Sequence, residues 1–142
     1  MKTVIVCASV SHGNTRRIAD AMAQVLGAQV VSPEEADLTG ADLVGFGSGV
    51  YYARLHPSLR EFVEGLPQTD NKAFVFATSG FAVPYTRPLA RRLAGKGFEV
   101  VGSFDCRALD TWGPFKLLGG IHKHRPNSDD LAAARAFASR LR

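Results

Sequence analysis

The sequence predicts one three-layer α/β domain, a parallel sheet with helices on both faces. Three observations predict it. Short apolar runs alternate with segments of helical period along the chain. Those runs are continuously apolar, as strands covered on both faces are. The 142 residues fit the single-domain range, long enough to bury about two-thirds of the surface that the unfolded chain exposes. A hydrophobic fraction of 46% and a charged fraction of 21%, with no biased tract or repeat period, exclude disorder and solenoid arrays.

Thr3 to Ala8 reads as the first buried strand; it is short and lacks the small-residue cleavage site of a signal peptide. Thr15 to Leu26 then carries Ile18, Met22, Val25 and Leu26 on one helical face, with Arg16, Arg17 and Asp20 outward and Gly27 to end it. Gln29 to Val31 is a short strand. Ser32 to Ala41 is too short for a full helix with its connections, so a turn or single helical turn is expected there. Asp42 to Ser48 is the next strand. Pro57 suits a first helical position, and Leu59, Phe62, Val63 and Leu66 face inward before Pro67.

Lys72 to Thr78 and Glu99 to Phe104 are the remaining strands. A helix at about Arg87 to Ala94 separates them, with Leu89 and Leu93 inward and Gly95-Lys96-Gly97 at its end. Asn127 or Ser128 caps the last helix, Asp129 and Asp130 sit where the helix dipole favours negative charge, and Arg140 and Arg142 sit at the opposite end. Its inner stripe is Leu131, Ala134, Phe137, Ala138 and Leu141. Arg107 to Pro126 has no clear period, yet holds Trp112, Phe115, Leu117, Leu118 and Ile121; this apolar content predicts a packed loop.

The net charge of +4 favours acidic partners, but Arg16-Arg17, Arg91-Arg92 and His122-Lys123-His124-Arg125 are short clusters, and no nucleic-acid partner is expected. No stretch approaches a membrane span. Neither of the two cysteines, Cys7 and Cys106, belongs to a C-x-x-C pair, which leaves no disulfide framework or zinc site and makes a cytoplasmic location the expectation. His12, His56, His122 and His124 are too scattered for a metal site.

Ser9-Val10-Ser11-His12-Gly13-Asn14-Thr15 joins the first strand to the first helix, at the edge where open parallel sheets bind ligands. A phosphate there can take hydrogen bonds from the hydroxyls of Ser9, Ser11 and Thr15, the amide of Asn14 and the backbone N–H groups that begin the helix, while Gly13 permits close backbone approach. A plain turn with an N-cap would explain Asn14 or Thr15 but not the density of hydroxyls. The Gly-Lys-Ser/Thr ending of a P-loop is absent. A small tyrosine phosphatase needs an arginine six residues after its cysteine, where Gly13 follows Cys7.

Strand, serine-rich loop, Gly13-Asn14-Thr15 and an alanine-rich helix resemble the phosphate loop of the flavodoxins, which hold flavin mononucleotide (FMN). Aligned on Gly13, the flavodoxin pattern Ser/Thr-x-Thr-Gly-x-Thr places His12 and Val10 where hydroxyls belong, with Ser11 and Ser9 as their substitutes. The resemblance implies a five-stranded sheet of order 2-1-3-4-5. It also implies that Ser48, Gly49, Val50, Tyr51 and Tyr52 form the loop over one face of the flavin ring, the tyrosines stacking and Gly49 lying beside its N5 atom. Thr78, Ser79, Gly80 and Phe81 meet the pyrimidine side, and Trp112 of the long loop joins the cofactor-binding set. Packing in the core is the other reading of Phe81 and of one tyrosine. Gly45-x-Gly47-x-Gly49 is not a dinucleotide fingerprint, since no helix starts there. Tyr51 to His56 and Pro57, followed by a helix, is also similar to flavodoxin-like protoporphyrinogen oxidases, and Asp110 to Lys116 resembles short flavodoxins.

The resemblance implies an electron-transfer flavoprotein serving a redox partner protein; the alternative is an FMN-dependent oxidoreductase acting on a small anionic or aromatic molecule, a quinone or porphyrinogen. A flavin-free receiver domain would need an acidic cluster after the first strand, which is missing. Ser9 to Thr15, Ser48 to Ser58 and Thr78 to Pro88 contain no Asp or Glu, and Arg107 to Pro126 has only Asp110 against Arg107, Lys116, Lys123 and Arg125. With fewer anions nearby, the reduced, anionic flavin is expected at a less negative potential than in acidic flavodoxins, and a potentiometric titration giving a very low value would contradict this. His122 to Arg125 reads either as a solvated turn or as a basic docking point for an acidic partner or anionic substrate, and His56 is most simply a helix-boundary residue, with a substrate role as the other reading.

Overall fold

A computed structural model describes residues 2–8, 13–51, 54–79, 85–107 and 128–142. In chain order the elements are β1 (Thr3–Ala8), α1 (Asn14–Leu26), β2 (Gln29–Val31), β3 (Leu43–Tyr51), β4 (Arg54–Leu55), α2 (Pro57–Glu64), β5 (Lys72–Ser79), α3 (Thr86–Gly95), β6 (Glu99–Arg107) and α4 (Ser128–Ser139). The long strands pair in parallel in the order β2-β1-β3-β5-β6, and β4 adds to β3 as a hairpin. Counted without that hairpin strand, this is the order 2-1-3-4-5. Both the fold class and the order are as expected.

Every residue of β1 is buried, because the two sides of the strand enter different cores. Val4, Val6 and Ala8 point to one face, where Val44, Phe46 and Val75 meet Leu59 and Val63 of α2 and Leu89 and Leu93 of α3. Ile5 and Cys7 point to the other, packed with Phe74 and Phe76 against Ile18 and Met22 of α1 and Ala134, Phe137 and Ala138 of α4. That two-sided burial is the physical origin of the continuously apolar runs. Among the described residues no helix is long and apolar enough to cross a membrane.

Two glycines of β3 make the second core possible. A β-carbon on Gly45 would lie 2.3 Å from the Phe74 ring, and one on Gly47 would lie 2.0 Å from the Phe76 ring. The two rings stack at 6.2 Å between centroids, and Phe137 meets Phe74 edge-on at 6.0 Å. The glycine run thus serves aromatic packing across neighbouring strands.

Helix ends follow the local signals. Gly27 closes α1 at φ 63°, in the left-handed region that glycine enters without strain. Asp129 and Asp130 occupy the first turn of α4, and Arg140 and Arg142 lie just beyond its end. Between β2 and β3 there are only turns, with the Glu35 amide donating to the Ser32 carbonyl at 3.1 Å. The two largest boundary differences are at strand ends. β6 runs on to Arg107, because its Asp105, Cys106 and Arg107 continue the ladder with β5, and β3 runs on to Tyr51. The expected packed loop of 107–126, apart from Arg107, lies outside the described residues.

Candidate functional site

The register of the sheet brings the ends of the strands to one level. Ala8 pairs with Ser48, Ser48 with Ala77, Gly49 with Thr78, and Thr78 with Cys106. Above this edge α1 begins at Asn14, directly after Gly13, whose φ of 64° and ψ of 24° put it in the left-handed region. Among the described residues no side chain caps the helix, and its first turn holds no acidic residue. The first described bond into it runs from the Arg17 amide to the Gly13 carbonyl at 3.0 Å. Earlier amides and the positive end of the helix dipole therefore face the sheet edge uncompensated by the helix's own residues. That is the arrangement that binds anions.

Thr15, in the first turn, is 3% exposed, and its hydroxyl meets that of Thr78 at 2.7 Å; Thr78 is 4% exposed. Two expected site residues from distant parts of the chain are thus in direct contact. Ser48 is wholly buried; its hydroxyl donates to the Gly49 carbonyl at 2.5 Å and accepts from the His56 amide at 2.8 Å. This ties the end of β3 to the start of α2 across the hairpin.

One expectation needs correction. Gly49, Val50 and Tyr51, read as a loop, belong to β3. Val50 pairs with Leu55 and Tyr51 with Arg54, so the backbone stays extended to the hairpin turn. Ser79, likewise, is the last residue of β5. Ser9, Ser11, His12, Tyr52, Gly80, Phe81 and Trp112 lie outside the described residues.

His56 is the N-cap of α2. The Ser58 amide donates to its Nδ1 at 3.0 Å and the Ser58 hydroxyl lies 2.8 Å from the same atom, so Nδ1 is the acceptor and the neutral ring carries its proton on Nε2. The helix-boundary reading is the one the geometry bears out. Sequence reasoning missed Thr86, which is 2% exposed and donates to the Asp105 carboxylate at 2.8 Å, joining the start of α3 to the end of β6. Its partner lies 19 residues away and left no local signal.

Cys7 is 5% exposed, and burial pushes its thiol up to about 12; Arg16 opposes this and Asp20 adds to it. It stays protonated at neutral pH, as a buried strand residue does and a nucleophile does not. Arg17 and Arg87 stand exposed in the first turns of α1 and α3. Among the described residues no group of three His, Cys, Asp or Glu is placed to hold a metal ion.

A family model described as the flavodoxin domain matches residues 5–92, which include the helix start, the hairpin and β5. An uncharacterised protein of Methanocaldococcus jannaschii is 37% identical over 147 aligned residues, covering 99% of this chain and 98% of that protein. The chain belongs to the flavodoxin family. Flavodoxins bind FMN, and their fold is the one seen here. A flavodoxin from the domain Archaea superposes with a TM-score of 0.78 at 20% identity, covering 99% of this chain and 96% of that one. Oxidised flavodoxin 1 of Bacillus cereus gives 0.75 at 21%, covering 98% and 95%. At such identities the likeness to these flavodoxins is one of fold.

Proposed function

We propose that this flavodoxin is a single-domain, cytoplasmic electron carrier that holds FMN by its phosphate at the start of α1 and passes electrons to a redox partner protein. The observation that carries the proposal is the helix start itself: an uncapped N-terminus without acids, entered through a left-handed glycine, at the carboxyl edge of a parallel sheet. Its donors fit a phosphate. Ser9, Ser11, His12, Gly13, Asn14 and Thr15 would hold that phosphate, Gly49 to Tyr52 one side of the ring, Ser79 to Phe81 its pyrimidine side, and Trp112 would complete the set, while Thr78, buried with its hydroxyl against that of Thr15, would act through Thr15 and not through the ring. Ser48, whose hydroxyl is engaged within the hairpin, would contribute through its backbone and by fixing that wall.

FMN supplies the electron storage; the residues named here bind it and set the charge around it. Exposed Arg17 and Arg87 support an acidic partner docking on this edge. The visible spectrum of the purified chain tests the proposal. The expected result is a yellow protein whose extracted cofactor is FMN, or a colourless one that takes up FMN stoichiometrically. A chain that stays colourless and binds none from excess FMN overturns it.

The β3–β4 hairpin favours a second reading, an FMN-dependent oxidoreductase acting on a quinone or porphyrinogen, because it carries β3 beyond its last parallel pairing beside the same edge, where a small molecule could be enclosed. Sustained NAD(P)H oxidation on addition of quinone would select the enzyme over the carrier.

A further inference from the structure

We infer that Thr78 is a positioning residue for the anion at the start of α1: it donates to Thr15 and so leaves the Thr15 proton aimed at the bound phosphate. The inference rests on the FMN reading above and assigns a role to a residue that does not itself touch the phosphate. Thr15 and Thr78 are 63 residues apart in sequence, one in the first turn of α1 and one near the end of β5, and their hydroxyl oxygens lie 2.7 Å apart with almost no exposure.

Each hydroxyl carries one proton, and a single bond between two of them uses one. The other is left over, and away from water it needs an acceptor. Between two threonines alone either oxygen can be the donor. The two directions leave the spare proton in different places. If Thr15 donates, it remains on Thr78, over the ends of β3, β5 and β6, where Gly49 and Cys106 are the register partners. If Thr78 donates, it remains on Thr15, at the uncapped start of α1, where the amides of the first turn already favour negative charge. An anion there selects the second direction. A hydroxyl that donates to an anion is also a stronger acceptor, so the two bonds reinforce one another.

The test uses the full-length apoprotein titrated with FMN and with riboflavin, which has the same ring and no phosphate. Thr78→Val keeps the shape and removes the hydroxyl. It is expected to weaken FMN binding about tenfold while riboflavin binding stays unchanged. Thr78→Ser is expected to restore FMN affinity, and Thr78→Val is expected to add nothing in a Thr15→Val background. If the valine variant does not fold, Thr78→Cys, a weaker donor of similar size, is expected to show the same FMN-only loss at smaller size. Equal losses for the two flavins, no loss for FMN, or a serine variant that behaves like valine each overturn the role. Wild-type protein that binds no FMN overturns the electron-carrier reading, and the role with it; that failure is seen before any variant is made.

Discussion

Replacing Gly47 by alanine is expected to destabilise the fold by about 3 kcal/mol, read as a lower denaturant midpoint at unchanged slope. The added β-carbon would sit 2.0, 2.1 and 2.4 Å from three atoms of the Phe76 ring. The ring has nowhere to go. Phe76 and Phe74 are wholly buried and stacked on each other, Phe137 closes on Phe74, and the neighbouring β-carbon position at Gly45 is likewise filled, by the Phe74 ring. Gly95→Ala is the control: its β-carbon meets no atom within 4 Å, and the change should be neutral or slightly stabilising. Adding Phe76→Leu to Gly47→Ala is expected to recover part of the loss, a coupling of more than about 1 kcal/mol. A Gly47→Ala protein that unfolds like wild type would show that the rings are not the reason for the glycine.

Gly13→Asp is expected to separate folding from cofactor binding. Aspartate tolerates the left-handed conformation better than most residues, and a β-carbon at Gly13 meets nothing within 4 Å. A carboxylate at a helix N-terminus without acids is favourable, by about 0.5–1 kcal/mol, which offsets the strain of a side chain at φ 64°, so the apoprotein should stay within about 1 kcal/mol of wild type. The same carboxylate repels a phosphate in the same place. Two unit charges about 4 Å apart near a protein surface repel by roughly 4 kcal/mol, so FMN affinity should fall at least about a hundredfold, and riboflavin affinity far less. Gly13→Asn, similar in shape without the charge, should stay within about tenfold of wild type. An aspartate variant that binds FMN like wild type would move the phosphate away from α1.

Much of this architecture is legible in the chain. Thr3 to Ala8, Gln29 to Val31 and the last helix announce themselves by composition and end signals, because the physics that builds them is local. What is not legible is set by neighbours distant in sequence. β4 has two residues, too few for any period, and exists because Arg54 and Leu55 find Tyr51 and Val50 across a turn. Asp105 and Arg107 are poor strand signals, yet they follow β5 because the parallel ladder carries them. The glycines of β3 answer to rings 29 residues further on, a relation visible only once the register is known. At the site, Gly13 and Thr15 could be picked out from loop chemistry. The Thr15–Thr78 contact could not, since nothing local to either threonine points to the other.

The shortened crossover has a consequence for how the molecule opens. β2 has three residues, none of them buried, and hydrogen-bonds to β1 from one side of the sheet only. With no helix between β2 and β3 to clamp it, this margin can fray while β1, β3 and β5 stay paired. Excursions from the native state are therefore graded from that margin inward, and the start of α1 with the end of β5, joined by Thr15 and Thr78, belongs to the portion that opens last.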